Sequence, residues 1–173
     1  LPAAVIGYDV WAAHDAGEIR DSLLDVLFIA EAVTLSATLT QATKFIVGRE
    51  RPFVHVLEED NKSRTKEPID NNLSFFSGHS SFAFSTAVAA GTVARMRGYR
   101  YAPVIYGVGL SMAVATGYLR IAADKHYLTD VLAGAAIGSA VGFAVPYFFH
   151  SPVARDPDAV RIMPGGSGLA VLF

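Results

Sequence analysis

Long apolar segments alternate with polar breaks along the chain. Apolar residues recur at helical spacing in four segments: 20–47, 78–96, 101–119 and from about 126 to 149. Pro146 predicts a kink near the end of the last segment. Residues 1–19 show no clear period and are interpreted as a mixed lead-in. The pattern therefore predicts an all-α chain built on four long helices.

The segment 48–76 interrupts this pattern. It carries Pro52 and Pro68 and a charged run from Glu58 to Lys66. Unstructured connections of this length are uncommon inside compact domains unless they have a functional role. We therefore interpret 48–76 as a long loop that covers a site.

The C-terminal residues differ in character from the helical segments. The sequence VRIMP, a Gly-rich GGSG and LAVLF follow one another, which predicts two short strands around a turn. The chain is therefore divided into a helical domain over 1–150 and a C-terminal tail over 151–173, which is expected to form a short β-hairpin.

Composition excludes several classes of function. The 173 residues carry a formal net charge of -2, so no general basic surface indicates nucleic-acid binding. The chain has no cysteine, which excludes disulfides and thiolate chemistry. No basic region precedes an apolar stretch at the start of the sequence, so no intact signal peptide is expected.

A first cluster of candidate residues lies where the first helix ends. Six residues separate Lys44 from Arg51, which is followed by Pro52. Two cations at one helix exit repel each other unless they share an anion. Arginine offers a planar fork to phosphate oxygens and lysine a point charge, so the pair suits phosphate, although a solvated basic turn gives the same pattern.

A second cluster opens the next helix. Ser77 is a candidate N-cap, and Gly78 lets the backbone approach a ligand closely. The free N–H groups and the dipole of a helix N-terminus favour an anion. His79, in the first turn, could donate a proton to a leaving oxygen. Ordinary capping with a surface histidine is the alternative.

A third cluster comprises Arg120, His126 and Asp130. The last two are four residues apart and would share one face of a helix. A carboxylate bonded to one imidazole nitrogen fixes the tautomer and leaves the other nitrogen free to attack. Helices that run alternately up and down would bring all three clusters to one pole. That arrangement suits a phosphate dianion between a nucleophile and an acid.

The motifs resemble those of the type-2 phosphatidic acid phosphatase family, of the vanadium haloperoxidase superfamily, which is related to bacterial acid phosphatases. The matching segments are KFIVGRERP (44–52), FSGH (76–79) and LRIAADKHYLTD (119–130). Phe76 stands where the family usually has proline, and Leu119 where it has serine before the arginine. The resemblance spans roughly residues 35–149 and implies the helical bundle of that family.

The resemblance also implies the role of each motif residue. His126 would attack phosphorus, Asp130 would hold its ring, and His79 would protonate the leaving oxygen and then activate water. The expected phosphate-binding residues are Lys44, Arg51, Ser77, Gly78 and Arg120. Because lysine and arginine supply the positive charge, no metal and no other cofactor is expected.

The expected activity is hydrolysis of a phosphomonoester, with a lipid phosphate or pyrophosphate as substrate and a phosphohistidine intermediate. A vanadium-dependent haloperoxidase and a non-catalytic protein that binds lipid phosphates are the alternatives. Apolar helices near the site favour an amphiphilic substrate. The sequence does not determine the substrate or the oligomeric state.

The sequence leaves membrane insertion open. The stretches 101–119 and 131–149 each hold 19 residues without a charge, close to the roughly 20 that a membrane span needs, but buried helices of a soluble bundle have the same composition. The turn 95–100 contains three arginines, which the positive-inside rule would place in the cytoplasm. The motifs would then face the extracytoplasmic side of a membrane; a soluble periplasmic protein is the alternative.

Overall fold

The computed structural model describes residues 2–17, 22–150, 161–165 and 168–172. Its α-helices are α1 (Pro2–Asp15), α2 (Ser22–Val47), α3 (Pro52–His55), α4 (Glu59–Lys62), α5 (Gly78–Met96), α6 (Ala102–Ala122) and α7 (Leu128–Ala144). A 3-10 turn spans Pro68–Asp70 and a π-helical turn spans Val145–Phe149. The prediction of an all-α bundle is confirmed.

Two short strands follow the bundle. Strand β1 (Arg161–Gly165) pairs antiparallel with β2 (Gly168–Leu172). Part of the predicted Gly-rich turn, at 166–167, lies outside the described residues. So do residues 151–160, at which the sequence places the boundary between helical domain and tail, and that division stays a prediction.

The structure corrects three local predictions. The lead-in is largely helical, because α1 packs against α5 and α6 and gains stability from tertiary contact that its weak period does not reveal. The loop 48–76 contains the short helices α3 and α4. The last long helix begins at Leu128, so His126 precedes it instead of lying within it.

Helix α5 is the centre of the bundle and packs against α2, α6 and α7. Contacts between α2 and α5 run antiparallel, from a 2.6 Å hydrogen bond between the hydroxyls of Ser36 and Ser81 to a 2.8 Å ion pair between Asp25 and Arg97. A 2.8 Å hydrogen bond between the hydroxyls of Thr92 and Tyr106 joins α5 to α6 near the end of α5 that carries Arg97. The chain therefore reverses direction between α2 and α5 and again between α5 and α6.

Helices α5 and α7 run parallel and are unusually close. Gly134, Gly138 and Gly142 of α7 face the backbone of α5, and a Cβ atom at Gly138 would collide with the carbonyl oxygen of Ser81. Small residues at such positions let two helix backbones approach. This packing brings the first turns of α5 and α7, which carry two of the sequence motifs, to the same pole.

The arginine-containing turn lies at the other pole. Arg97 donates from Nε to the buried carboxylate of Asp25 at 2.8 Å, and the hydroxyl of Tyr99 donates to the same carboxylate at 2.8 Å. These bonds tie the end of α5 to the start of α2. Arg95 and Arg100 are more exposed than Arg97.

Three segments are long and apolar enough to cross a membrane by length and composition: Ser22–His55, Ala102–Ala122 and Leu128–Phe149. Their outer surfaces carry large apolar side chains that the bundle leaves exposed, among them Leu27, Leu35, Val108, Leu132 and Phe143. Since α5 connects α2 to α6 and runs against both, a membrane around these segments would surround α5 as well.

Candidate active site

The predicted site residues meet at one pole of the bundle. Lys44 lies in the last turn of α2, Arg51 directly precedes α3, and Arg120 lies near the end of α6. Ser77, Gly78 and His79 form the start of α5. His126 and Asp130 flank the start of α7. The alternating helix directions thus gather all three motifs.

The start of α5 is built for close approach. Ser77 is the N-cap, and its buried hydroxyl accepts hydrogen bonds from the Ser80 N–H and hydroxyl. A Cβ atom at Gly78 would lie 3.2 Å from Thr40 Cγ2 and 3.7 Å from Lys44 Nζ. Glycine therefore allows the Lys44 ammonium to lie beside the positive end of the helix, an arrangement that favours a bound anion.

Two arginines complete a cationic group. The Arg51 side chain is buried, and its guanidinium donates from Nε to the Asp70 carbonyl at 2.9 Å. The Nε atom of Arg120 is buried and has no hydrogen-bond partner in the described structure. An unpaired buried donor is costly unless a ligand accepts from it. Nε of Arg120 is therefore available to donate a hydrogen bond to an oxygen of a bound anion.

The carboxylate of Asp70 lies among these cations. Its Oδ2 atom is 2.6 Å from Arg51 Nη2, and its charge also acts on Lys44, His79 and Arg120. The residue comes from the 3-10 turn of the long connection between α2 and α5. An anion that binds to Arg51 has to displace this carboxylate or share the guanidinium with it.

His126 is buried in the turn between α6 and α7, with 2% of its surface exposed. Burial lowers the pKa of its imidazole to about 4, and the charges of Arg51, Arg120 and Lys44 act in the same direction while Asp130 opposes them. The ring is therefore neutral at pH 7 and keeps a lone pair for attack. His126 therefore lies within range of the charges of the cationic group.

The pairing of His126 with Asp130 is looser than the sequence predicts. Nδ1 of His126 lies 3.8 Å from Oδ2 of Asp130, beyond hydrogen-bond distance, and has no hydrogen-bond partner among the described residues. Asp130 instead accepts from the Tyr127 N–H at 3.0 Å and so caps α7. Because α7 starts after His126, the two residues do not share a helix face.

Two residues that sequence analysis did not assign to the site hold Asp130. Arg49 Nη1 lies 2.6 Å from Oδ1, and the Ser74 hydroxyl donates to Oδ2 at 2.5 Å. A signal for Arg49 was available, because it is a third cation at the helix exit that carries Lys44 and Arg51. Ser74 carries no such signal in the sequence.

Two cavities border the group. One of about 530 Å³ lies between α2 and α6 above α5. Lys44, Gly78 and His79 line it together with Ala37, Phe82 and Ala83, so phosphate-binding groups adjoin an apolar wall. The other, of about 300 Å³, is lined by Arg51, Asp70, Arg120 and Lys125, among others.

Within the described ranges, no group of three or more His, Asp or Glu residues is placed to hold a metal ion.

The family model of the PAP2 superfamily matches residues 25–153. This match covers most of the chain, including every motif residue, and the chain belongs to the PAP2 superfamily.

Individual relatives are more distant. The chain is 28% identical to phospholipid phosphatase 2 of Bos taurus over 71% of its own length and 50% of the relative's. It is 30% identical to phospholipid phosphatase 1 of Rattus norvegicus, over 76% and 53%. It is also 30% identical to lipid A 1-phosphatase of Porphyromonas gingivalis, over 74% and 24%. The chain thus spans about half the length of the phospholipid phosphatases that it matches. No solved structure matches it.

Proposed function

We propose that the protein is a phosphatase that hydrolyses a lipid phosphomonoester or pyrophosphate through a phosphohistidine on His126. The observation that carries this proposal is a buried histidine whose pKa is lowered by burial and by the nearby charges of Lys44, Arg51 and Arg120. A neutral imidazole is a nucleophile, and three cations stabilise the charge on a phosphoryl group in transfer.

The first half-reaction forms the covalent intermediate. Since Nδ1 of His126 faces Asp130, Nε2 attacks phosphorus and the bond from phosphorus to the lipid oxygen breaks. His79, exposed at the start of α5 and lining the larger cavity, gives its proton to that oxygen. Lys44, Arg51 and Arg120 hold the non-bridging oxygens, with the Gly78 N–H and Ser77 at the helix terminus.

The second half-reaction restores the enzyme. His79, now neutral, takes a proton from a water molecule as the water attacks phosphorus. The bond from phosphorus to His126 breaks, and inorganic phosphate leaves. His79 thus acts first as an acid and then as a base, because the second step is the reverse of the first with water in place of the lipid oxygen.

The larger cavity supports an amphiphilic substrate. Its wall of Ala37, Phe82 and Ala83 continues directly from Lys44 and His79, so a phosphate held by the cations would place the attached chain against apolar side chains. Relatives named phospholipid phosphatase and lipid A 1-phosphatase agree with this class. Mostly apolar walls with a few convergent polar groups are typical of small-molecule sites.

A phosphate-release assay without added metal tests this function. We expect turnover of a long-chain lipid phosphate to be unchanged by EDTA, because lysine and arginine supply the charge that a metal would otherwise provide. A short-chain analogue with the same headgroup is the matched control and should have a higher KM. Loss of activity in EDTA, restored by a divalent ion, would contradict metal independence, and equal KM values would contradict the apolar subsite.

We also propose that the protein is membrane-embedded, with the site on the extracytoplasmic side. The three apolar segments support the membrane, and the arginine-containing turn at 95–100 supports the orientation. Arg97 is engaged with Asp25, which leaves Arg95 and Arg100 as the more exposed charges.

Cysteine labelling in intact cells tests the orientation, since the chain has no native cysteine. An impermeant reagent should label Asn61→Cys, in the connection that covers the site, and not Gly98→Cys in the arginine-containing turn. Labelling of both positions from the same side would refute the arrangement.

A further inference from the structure

Arg49 lies in the turn between α2 and α3 and reaches across to the start of α7. Its Nη1 atom donates to Asp130 Oδ1 at 2.6 Å and to Thr129 Oγ1 at 2.8 Å. Its guanidinium carbon lies 4.1 Å from the centre of the Tyr127 ring. One side chain thus contacts three of the four residues that follow His126.

The contacts of Asp130 explain why its bond to Arg49 is important. Its side chain is fully buried, and it accepts from Ser74 at 2.5 Å and from the Tyr127 N–H at 3.0 Å as well as from Arg49. A buried carboxylate is costly unless it is paired and hydrogen-bonded. Arg49 supplies the cation that pairs with this buried carboxylate.

Arg49 also connects separate parts of the site. Its carbonyl oxygen accepts from the Ser74 N–H at 2.9 Å, and Ser74 in turn donates to Asp130. Three segments, from the turn before α3, the connection before α5 and the start of α7, therefore meet at Asp130. Arg51, two residues after Arg49, belongs to the same turn and is part of the cationic group.

Arg49 itself stands apart from the anion site. Among the described residues, none of the contacts of the Arg49 guanidinium is made with Lys44, Arg51 or Arg120. The Arg49 guanidinium is instead engaged with Asp130, Thr129 and the face of Tyr127. This placement separates it from the residues assigned to phosphate.

We propose that Arg49 is a positioning residue that acts through Asp130 to hold the turn carrying His126. This role rests on the proposed function. The Asp130 carboxylate, fixed by Arg49 and Ser74, lies 3.8 Å from Nδ1 of His126, so a small ring movement brings the two into hydrogen-bond distance. When Nε2 is phosphorylated, the ring carries its proton on Nδ1, and the fixed carboxylate accepts from it.

Steady-state kinetics of R49A and R49K test this role, with R64A as the control. Arg64 is an exposed arginine of the same connection and is assigned no role in the site. By analogy with residues that orient metal ligands, we expect R49A to lower kcat by about 10- to 100-fold, while KM and inhibition by phosphate stay near wild type. R49K keeps the charge and one of the two bonds, so its kcat should lie between those of R49A and wild type.

A double-mutant cycle with D130A supplies the readout that a purely structural role would not move. If Arg49 acts through Asp130, R49A adds little to the loss in D130A, because the two effects are coupled. Additive losses, a wild-type kcat in R49A, or a rise in KM alone would overturn the proposal. If R49A does not fold, R49K carries the test, and a wild-type kcat or a raised KM in that variant would overturn it.

Assays of the wild-type protein distinguish failure of the proposed function from failure of the role of Arg49. An inactive wild type on every lipid and soluble phosphomonoester would refute the proposed function. An active wild type with unaffected Arg49 variants would refute the role of Arg49 alone.

Discussion

Replacement of His126 by alanine is expected to abolish phosphate release, with a loss of at least about 10⁴-fold by analogy with removal of other catalytic nucleophiles. The variant retains Lys44, Arg51 and Arg120 and can still bind the phosphoryl group, but it lacks the imidazole that attacks phosphorus. The loss should therefore fall on kcat. It is measured as turnover of the substrate that the release assay identifies.

The fold should survive this change. Nδ1 of His126 has no hydrogen-bond partner in the described structure, so alanine removes packing and breaks no bond at that atom. H55A is the matched control, because His55 is exposed and pairs with Glu50 outside the cationic group. Acid-labile, base-stable phosphate on the wild type and H55A, absent from H126A, would identify the intermediate. Near-normal turnover in H126A would refute the mechanism.

The convergence of the motifs could be predicted from the sequence because it depends on helix direction alone. Lys44 ends one long helix, Ser77 begins the next, Arg120 ends the third and His126 precedes the fourth. The short connections after α5 and after α6, together with apolar faces on each helix, force alternate directions. The Gly-rich face of α7 then fixes its distance from α5.

The geometry at Asp130 could not be predicted in this way. Spacing of four residues suggests a shared helix face only if the helix includes both residues. Asp130 caps the N–H of Tyr127, three residues earlier, and this bond starts α7 after His126. The capping requirement of the helix therefore decides the position of the carboxylate.

Long-range partners also escaped sequence analysis. Arg49 and Asp130 are 81 residues apart, and no local pattern links them. Asp70 lies in a connection interpreted as a covering loop, and its bond to Arg51 depends on how that connection folds back. Both contacts pair charged residues that are evident in the sequence. The sequence does not indicate which of these residues pair with each other.

The second large effect is expected for Asp130→Asn, which should lower kcat by about 10²- to 10⁴-fold, as in orienting carboxylates of catalytic triads. The carboxylate accepts from three donors, on Arg49, Ser74 and the Tyr127 backbone. An asparagine offers one oxygen and one NH₂ group. If its oxygen faces Arg49, its NH₂ group faces the Tyr127 N–H, and two donors then oppose each other.

The same change removes the negative charge that faces Nδ1 of His126, so a phosphorylated ring would have no anionic acceptor. D130N should therefore lose rate and also lower the unfolding temperature, since loss of a helix cap costs about 1 kcal/mol. D60N is the control, because Asp60 is exposed on α4. S74A removes only one donor to the carboxylate and should lose less than D130N. Turnover of D130N close to that of D60N would show that the carboxylate serves the helix cap alone and does not assist His126.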